Sequence, residues 1–226
     1  MTAYIRKMLF KDTALRLETG AGWKAALKGK AFVLKLSLGL LVMAGILWFL
    51  PAFFHAIELR NGRVVNDVIL QHLRPFDVST FIFLLVWSMV ALTTWRAIQQ
   101  PYIFLLFLWS FIFLTLVRIA AISIHPLNPP RGLIPLVDPL SNYFYKGTFI
   151  TKDLFFSGHT ATQCLMFLCM RKSTDRLLAL LSILVLAVLL LVQHVHYTID
   201  ILAAPFFTYC CYAMGKWVVM KWETPG

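Results

Sequence analysis

Apolar residues in this chain are gathered into blocks. Runs with no charge, or a single one, recur at Ala31–Phe54, Val78–Trp95, Pro101–Ile124, Leu154–Met170, Leu177–Gln193 and Ile201–Gly215. A helix rises about 1.5 Å per residue, so each block with its flanks approaches what is needed to cross ~30 Å of hydrocarbon. The pattern predicts an all-α membrane protein with six transmembrane helices. No internal repeat, low-complexity tract or heptad seam competes with that reading. Residues 1–30 read as a basic amphipathic segment, with Leu9, Phe10, Leu15, Leu17, Trp23 and Leu27 set among the charges, suited to lie at an interface. Residues 31–222 then form a single six-helix transmembrane domain. The longest irregular stretch, 125–153, carries Pro126, Pro129, Pro130, Gly132 and Pro139 together with Tyr143, Phe144, Tyr145 and Phe149. Breakers and aromatics in one long loop predict an ordered lid at headgroup level.

Composition sharpens the picture by exclusion. With 226 residues, 60% apolar side chains, 14% charged residues and a mean hydropathy of +0.77, the chain is neither a water-soluble domain nor a disordered scaffold. Cys164, Cys169, Cys210 and Cys211 fall inside the apolar blocks without metal-ligand spacing, and read as small apolar fillers. The 21 Lys and Arg against 10 Asp and Glu do not imply nucleic acid, because of where they stand. Arg6, Lys7, Lys11, Arg16, Lys24, Lys28 and Lys30 precede the first block; Arg96 follows the second; Arg171, Lys172 and Arg176 join the fourth to the fifth; Lys216 and Lys221 end the sixth. By the positive-inside rule this set, with both termini, belongs in the cytoplasm, and the loops 55–77 and 125–153 belong on the exoplasmic side.

Ionisable groups at membrane depth cost on the order of 2.5–3.5 kcal/mol each at a helix centre, so each needs a reason. Arg118, His159, His194, His196 and Asp200 stand out, and the alternating topology brings all five toward the exoplasmic leaflet. His196 and Asp200 are four apart, a spacing that predicts one helix face and lets a carboxylate orient an imidazole. Taken alone, such a pair is also a common buried hydrogen-bonded couple. His194, about 200° further round a helix, points elsewhere. Ser157-Gly158-His159-Thr160 opens a helix, with Ser157 a candidate N-cap and Gly158 allowing an anion to approach backbone N–H groups; a capped helix start explains the same residues. Arg118 either snorkels or supplies a bidentate partner for phosphate. Together, two histidines, an aspartate, a helix N-terminus and an arginine on one membrane face point to metal-free phosphoryl transfer.

Asp153-Leu154-Phe155-Phe156-Ser157-Gly158-His159-Thr160 and His196-Tyr197-Thr198-Ile199-Asp200 resemble the two signature segments of the sphingomyelin synthase-like family, within the lipid phosphate phosphatase (PAP2) superfamily. Arg118, leading into the proline-containing stretch to Pro129, resembles the preceding segment more loosely. The resemblance covers roughly residues 100–215. It implies a PAP2-like helical bundle with an exoplasmic site that works through a phosphohistidine. His196 would be the nucleophile, Asp200 its orienting carboxylate and His159 the acid and then the base, with Arg118, Ser157 and Gly158 receiving the phosphate. The implied partners are a glycerophospholipid donor and a lipid hydroxyl acceptor, ceramide or diacylglycerol in type, with no metal and no cofactor. The chain lacks the Lys-x6-Arg-Pro motif of the broader phosphatases, which makes a lipid phosphatase or phospholipase C-type hydrolase the second reading. A non-enzymatic lipid transporter using the same groups as a proton relay is the third; it would be expected to show inverted repeats or broken helices at the midplane, which the sequence does not.

Overall fold

The computed structural model describes residues 22–136 and 150–220. Within them the chain forms a short helix α1 (Trp23–Ala26), long α2 (Lys30–Leu59), short α3 (Val68–His72), α4 (Ser79–Gln99), α5 (Pro101–Ile124), α6 (Gly158–Cys169), α7 (Ser173–Val192) and α8 (Thr198–Met220). The remaining regular pairing is one isolated bridge, Arg63 with Leu127. The amphipathic stretch expected before Gly22 and the part of the expected lid over 137–149 lie outside the described residues.

Four of the six expected spans, α2, α4, α5 and α7, are long and apolar enough to cross a membrane. The other two differ from expectation in ways the sequence explains. The run Leu154–Met170 carries no Asp, Glu, Lys or Arg, yet only 12 of its residues are helical, about 18 Å of rise. Phe155 takes a left-handed φ of 57°, so the residues before Ser157 cannot continue the helix backwards. α8 is longer than its apolar block, at 23 residues, and is diluted by Asp200, Pro205 and Lys216.

α5 is the axis of the bundle, packing against α2, α4, α6 and α8. Its buried face, with Ile103, Leu105, Leu108, Ile112 and Leu114, joins Phe156, Leu165 and Ala204 in the main core. Without water to drive helices together in lipid, close backbone approach matters more, and small residues provide it. At the α5–α8 crossing a Cβ on Gly215 would lie 2.2 Å from Ser110 Oγ. Leucines and tryptophans turned outward on α2, α4 and α7, such as Trp48 at 86% exposure and Leu41 at 71%, form the apolar belt that a membrane would cover.

Polar clasps tie the helix ends. At one end the Arg96 guanidinium forks onto Asp175 (Nε to Oδ2, 2.7 Å; Nη2 to Oδ1, 3.1 Å), joining the end of α4 to the start of α7. Nearby the buried Lys35 ammonium donates to the Val219 carbonyl, placing a positive charge at the C-terminal end of α8, where the helix dipole favours it. At the opposite end, loops 60–77 and 125–136 are laced together. Asn128 accepts from Gly62 N (3.1 Å) and donates to Gly62 O (2.8 Å). A Cβ on Gly62 would come within 2.4 Å of the Leu127 carbonyl carbon, so this backbone contact needs glycine. The described half of the lid is therefore an ordered cap.

Candidate active site

Asp200 builds the site. α8 starts at Thr198, which makes Tyr197 its N-cap and Asp200 its third residue, and the carboxylate reaches back to accept from Tyr197 N at 3.1 Å. This is one half of a capping box, and it anchors the carboxylate whatever else it does. The other oxygen, Oδ1, accepts from Phe155 N at 3.2 Å, and the Asp200 carbonyl accepts from Ser157 N at 3.0 Å. One fully buried residue thereby fastens the strained 153–157 turn to the start of α8. The two separated sequence segments meet because of it.

His196 lies in the turn before α8, so it does not share a helix face with Asp200 as the spacing predicted. The tight turn still brings Nδ1 to 3.5 Å from Asp200 Oδ2. That is ion-pair range, longer than a formed hydrogen bond, and Nδ1 has no hydrogen-bond partner among the described residues. Catalytic hydrogen bonds are commonly long before substrate arrives. With the carboxylate as the polar neighbour of Nδ1, the tautomer inferred is Nδ1–H, leaving the Nε2 lone pair for chemistry. His159, in the first turn of α6, presents its ring edge-on to His196, centroids 6.5 Å apart at 61°. Two imidazoles at that distance can flank one phosphorus, one attacking and the other serving the leaving oxygen.

His194 does point away, for a different reason from helical rotation. Its backbone is left-handed (φ 56°) and its Nδ1 lies 2.8 Å from the Arg131 carbonyl, so it pins the cap. Ser157 Oγ accepts from Thr160 N (3.3 Å) and lies 3.1 Å from Thr160 Oγ1. It is fully buried and caps α6; its hydroxyl serves the helix whose N-terminal amides and dipole face the site. Arg118, on α5, lies against Gly158 and stacks over the Phe156 ring at 5.7 Å. Its guanidinium is paired with Asp153, the first residue of the 153–160 segment. A phosphate arriving here would meet a guanidinium already oriented by a carboxylate.

The value of glycine at 158 is therefore the space it leaves. A Cβ there would lie 1.8 Å from Arg118 Nη1 and 2.5 Å from Cζ. Gly158→Ala should leave the bundle folded and push the guanidinium aside, reducing turnover by roughly 10²-fold, the scale of losing one charge-stabilising group. Turnover close to that of the parent protein, in a variant of unchanged thermal stability, would show that Arg118 need not sit there.

Two acidic residues beyond the signature segments hold this arrangement from outside. Glu58, at the end of α2, accepts from Lys152 N (2.7 Å) and Thr151 Oγ1 (3.0 Å), clamping the segment that leads into Asp153. Asp67 caps α3 through Ile69 N (3.0 Å) and Leu70 N (3.2 Å), and accepts from Thr198 N at 2.6 Å. Partial burial pushes the Asp67 carboxyl up, but donors from Thr198, Leu70 and Ile69 outweigh that and hold it below its ordinary 3.8. A lowered folded-state pKa means that the stabilisation is complete above about pH 5 and is lost as pH falls through the folded value. Asp67→Asn should therefore narrow the stability gap to the parent below pH 4, measured as thermal midpoints from pH 3 to 7. A gap that is constant across that range would assign the effect to packing. Neither residue could be found from spacing, since each acts across more than 90 positions of sequence (Glu58 with Thr151 and Lys152) or 131 (Asp67 with Thr198).

No curated protein and no solved structure significantly matches the chain. Residues 152–217 match the family model described as PAP2 superfamily C-terminal, a stretch that runs from the Glu58-clamped turn into α8 and contains His159, His196 and Asp200, so this part of the chain is similar to that superfamily.

Proposed function

We propose that this protein is an integral membrane phosphotransferase that moves a phospho-alcohol headgroup from a glycerophospholipid to the hydroxyl of a second lipid, ceramide or diacylglycerol in type, in the manner of sphingomyelin synthases. The observation that carries the reading is the pairing of two histidines at 6.5 Å, one with its Nδ1 facing a buried carboxylate, beside an arginine and a helix N-terminus.

In the first half-reaction His196 Nε2 attacks phosphorus while the bond to the diacylglycerol oxygen breaks, and His159 gives that oxygen a proton. Asp200 holds the Nδ1 proton and stabilises the charge that builds on the ring. Neutral His159 then takes the proton of the acceptor hydroxyl, whose oxygen attacks phosphorus and breaks the N–P bond, restoring His196. Arg118 and the first-turn amides of α6 meet the negative charge on the transferring group. Water in place of the acceptor would make the same site a hydrolase, the activity that the PAP2 match also accommodates.

The test supplies purified protein with headgroup-labelled phosphatidylcholine or phosphatidylethanolamine, with and without ceramide. Label moving to ceramide is expected; label released only to water would assign a hydrolase, and no change in either would overturn both. The charge distribution supports an exoplasmic site with cytoplasmic termini. A cysteine placed within 138–150 should then react with an impermeant reagent from outside, and one near Lys172 only after permeabilisation.

A further inference from the structure

A cavity of about 380 Å³ opens beside His159, between α2, α5 and α6. Its polar end is made by Arg118, Asp153, Gly158 and His159; deeper in, Leu50, Leu114 and Phe111 make it apolar. Gln163 breaks that apolar wall. It sits one turn below His159 on α6, about 6 Å deeper along the helix, and is 1% exposed. Its Oε1 accepts from Ser182 Oγ at 3.3 Å, but its Nε2 has no hydrogen-bond partner among the described residues. Thr115, on the same wall, is satisfied by the Phe111 carbonyl at 2.8 Å. Among the described residues, Gln163 is the lining residue of this cavity that carries a buried side-chain polar atom without a partner. A buried amide donor without an acceptor is costly, and a bound acceptor removes the cost.

We infer that Gln163 is a specificity-determining residue that donates to the oxygen of a lipid's acyl linkage. The inference rests on the reading of the site given above. A lipid with its phosphorus between His159 and His196, or its hydroxyl at His159, has its hydrocarbon in the apolar part of the cavity. The ester carbonyl of a glycerophospholipid or the amide carbonyl of a ceramide-type acceptor then falls between head and chain, where the wall offers the Gln163 N–H. An ether lipid of equal length fills the same space but lacks the carbonyl, leaving that donor only a weaker ether acceptor.

The experiment measures binding, so that it does not depend on turnover. Protein in nanodiscs is titrated with non-transferable phosphonate analogues bearing diacyl or chain-matched dialkyl groups, and in a second arm with ceramide or its thioamide analogue, each displacing a fluorescent lipid. The parent protein should prefer the carbonyl-bearing lipid by roughly tenfold in one arm, which identifies the source of the oxygen. Gln163→Leu and Gln163→Met should bring that preference to about one with ether-lipid affinity unchanged, and Ser182→Ala should keep it. Equal affinity for both members of each pair in the parent protein, or a preference that survives Gln163→Leu, overturns the inference. A protein that shows the Gln163-dependent preference yet transfers no label would overturn the transferase reading and leave this contact standing.

Discussion

Replacing His196 with Ala is expected to abolish the covalent intermediate and to lower turnover by a factor on the order of 10⁴ or more, because the remaining imidazole, His159, is assigned to the leaving oxygen and lacks the Asp200 carboxylate that faces His196. The measurement is acid-labile label retained on the protein after quenching with a headgroup-labelled donor. His159→Ala should behave differently. It removes the proton donor of the first step and the base of the second, so both slow by roughly 10²–10⁴-fold, and a donor with a better leaving group should restore label incorporation in that variant but not in His196→Ala. The geometry underlies this division: Nδ1 of His196 faces Asp200, whereas His159 sits in the first turn of α6 on the other side of the gap. Label retained in His196→Ala and lost in His159→Ala would reverse the two roles. Turnover without label in any form would indicate direct transfer between lipids.

Asp200→Asn should slow phosphohistidine formation by a factor on the order of 10²–10⁴, as for orienting carboxylates elsewhere. The substitution keeps one acceptor oxygen and replaces the other by a donor. Phe155 N, Tyr197 N and His196 Nδ1 all face the carboxylate, so the new NH2 must oppose at least one N–H. The backbone bond from Ser157 N to the Asp200 carbonyl remains available, which keeps the two segments together and allows the variant to be purified and assayed. Loss of rate with a preserved thermal midpoint would identify the carboxylate as acting on His196. A parent-like rate would remove Asp200 from the chemistry and leave it as the cap of α8. Collapse of the midpoint would indicate that its fastening of the 153–157 turn dominates.

The sequence by itself determined that the chain is helical, apolar and multi-span, because burial in hydrocarbon forces every backbone group into local hydrogen bonds and leaves long uncharged blocks as its trace. It also singled out Arg118, His159, His194, His196 and Asp200, since ionisable groups are too costly among such blocks to be there without a reason, which for His194 is its contact with the Arg131 carbonyl. Only the tertiary structure decided how they meet. Residues 154–157 read as the start of a span, yet the left-handed Phe155, bonded to Asp200, turns them into the loop that delivers His159. His196 and Asp200 read as a helical pair, yet they meet through a turn, because Asp200 caps the helix that His196 precedes. Glu58 left no local signal, and the cap that Asp67 makes on α3 does not announce its bond to Thr198, since a hydrogen bond closed across a long stretch of chain imposes no period on the residues between. Gln163 read as one polar residue in an apolar helix, and only the packing that buries its amide on a cavity wall, bonded to Ser182 at one end and unpartnered at the other, gives it something to recognise.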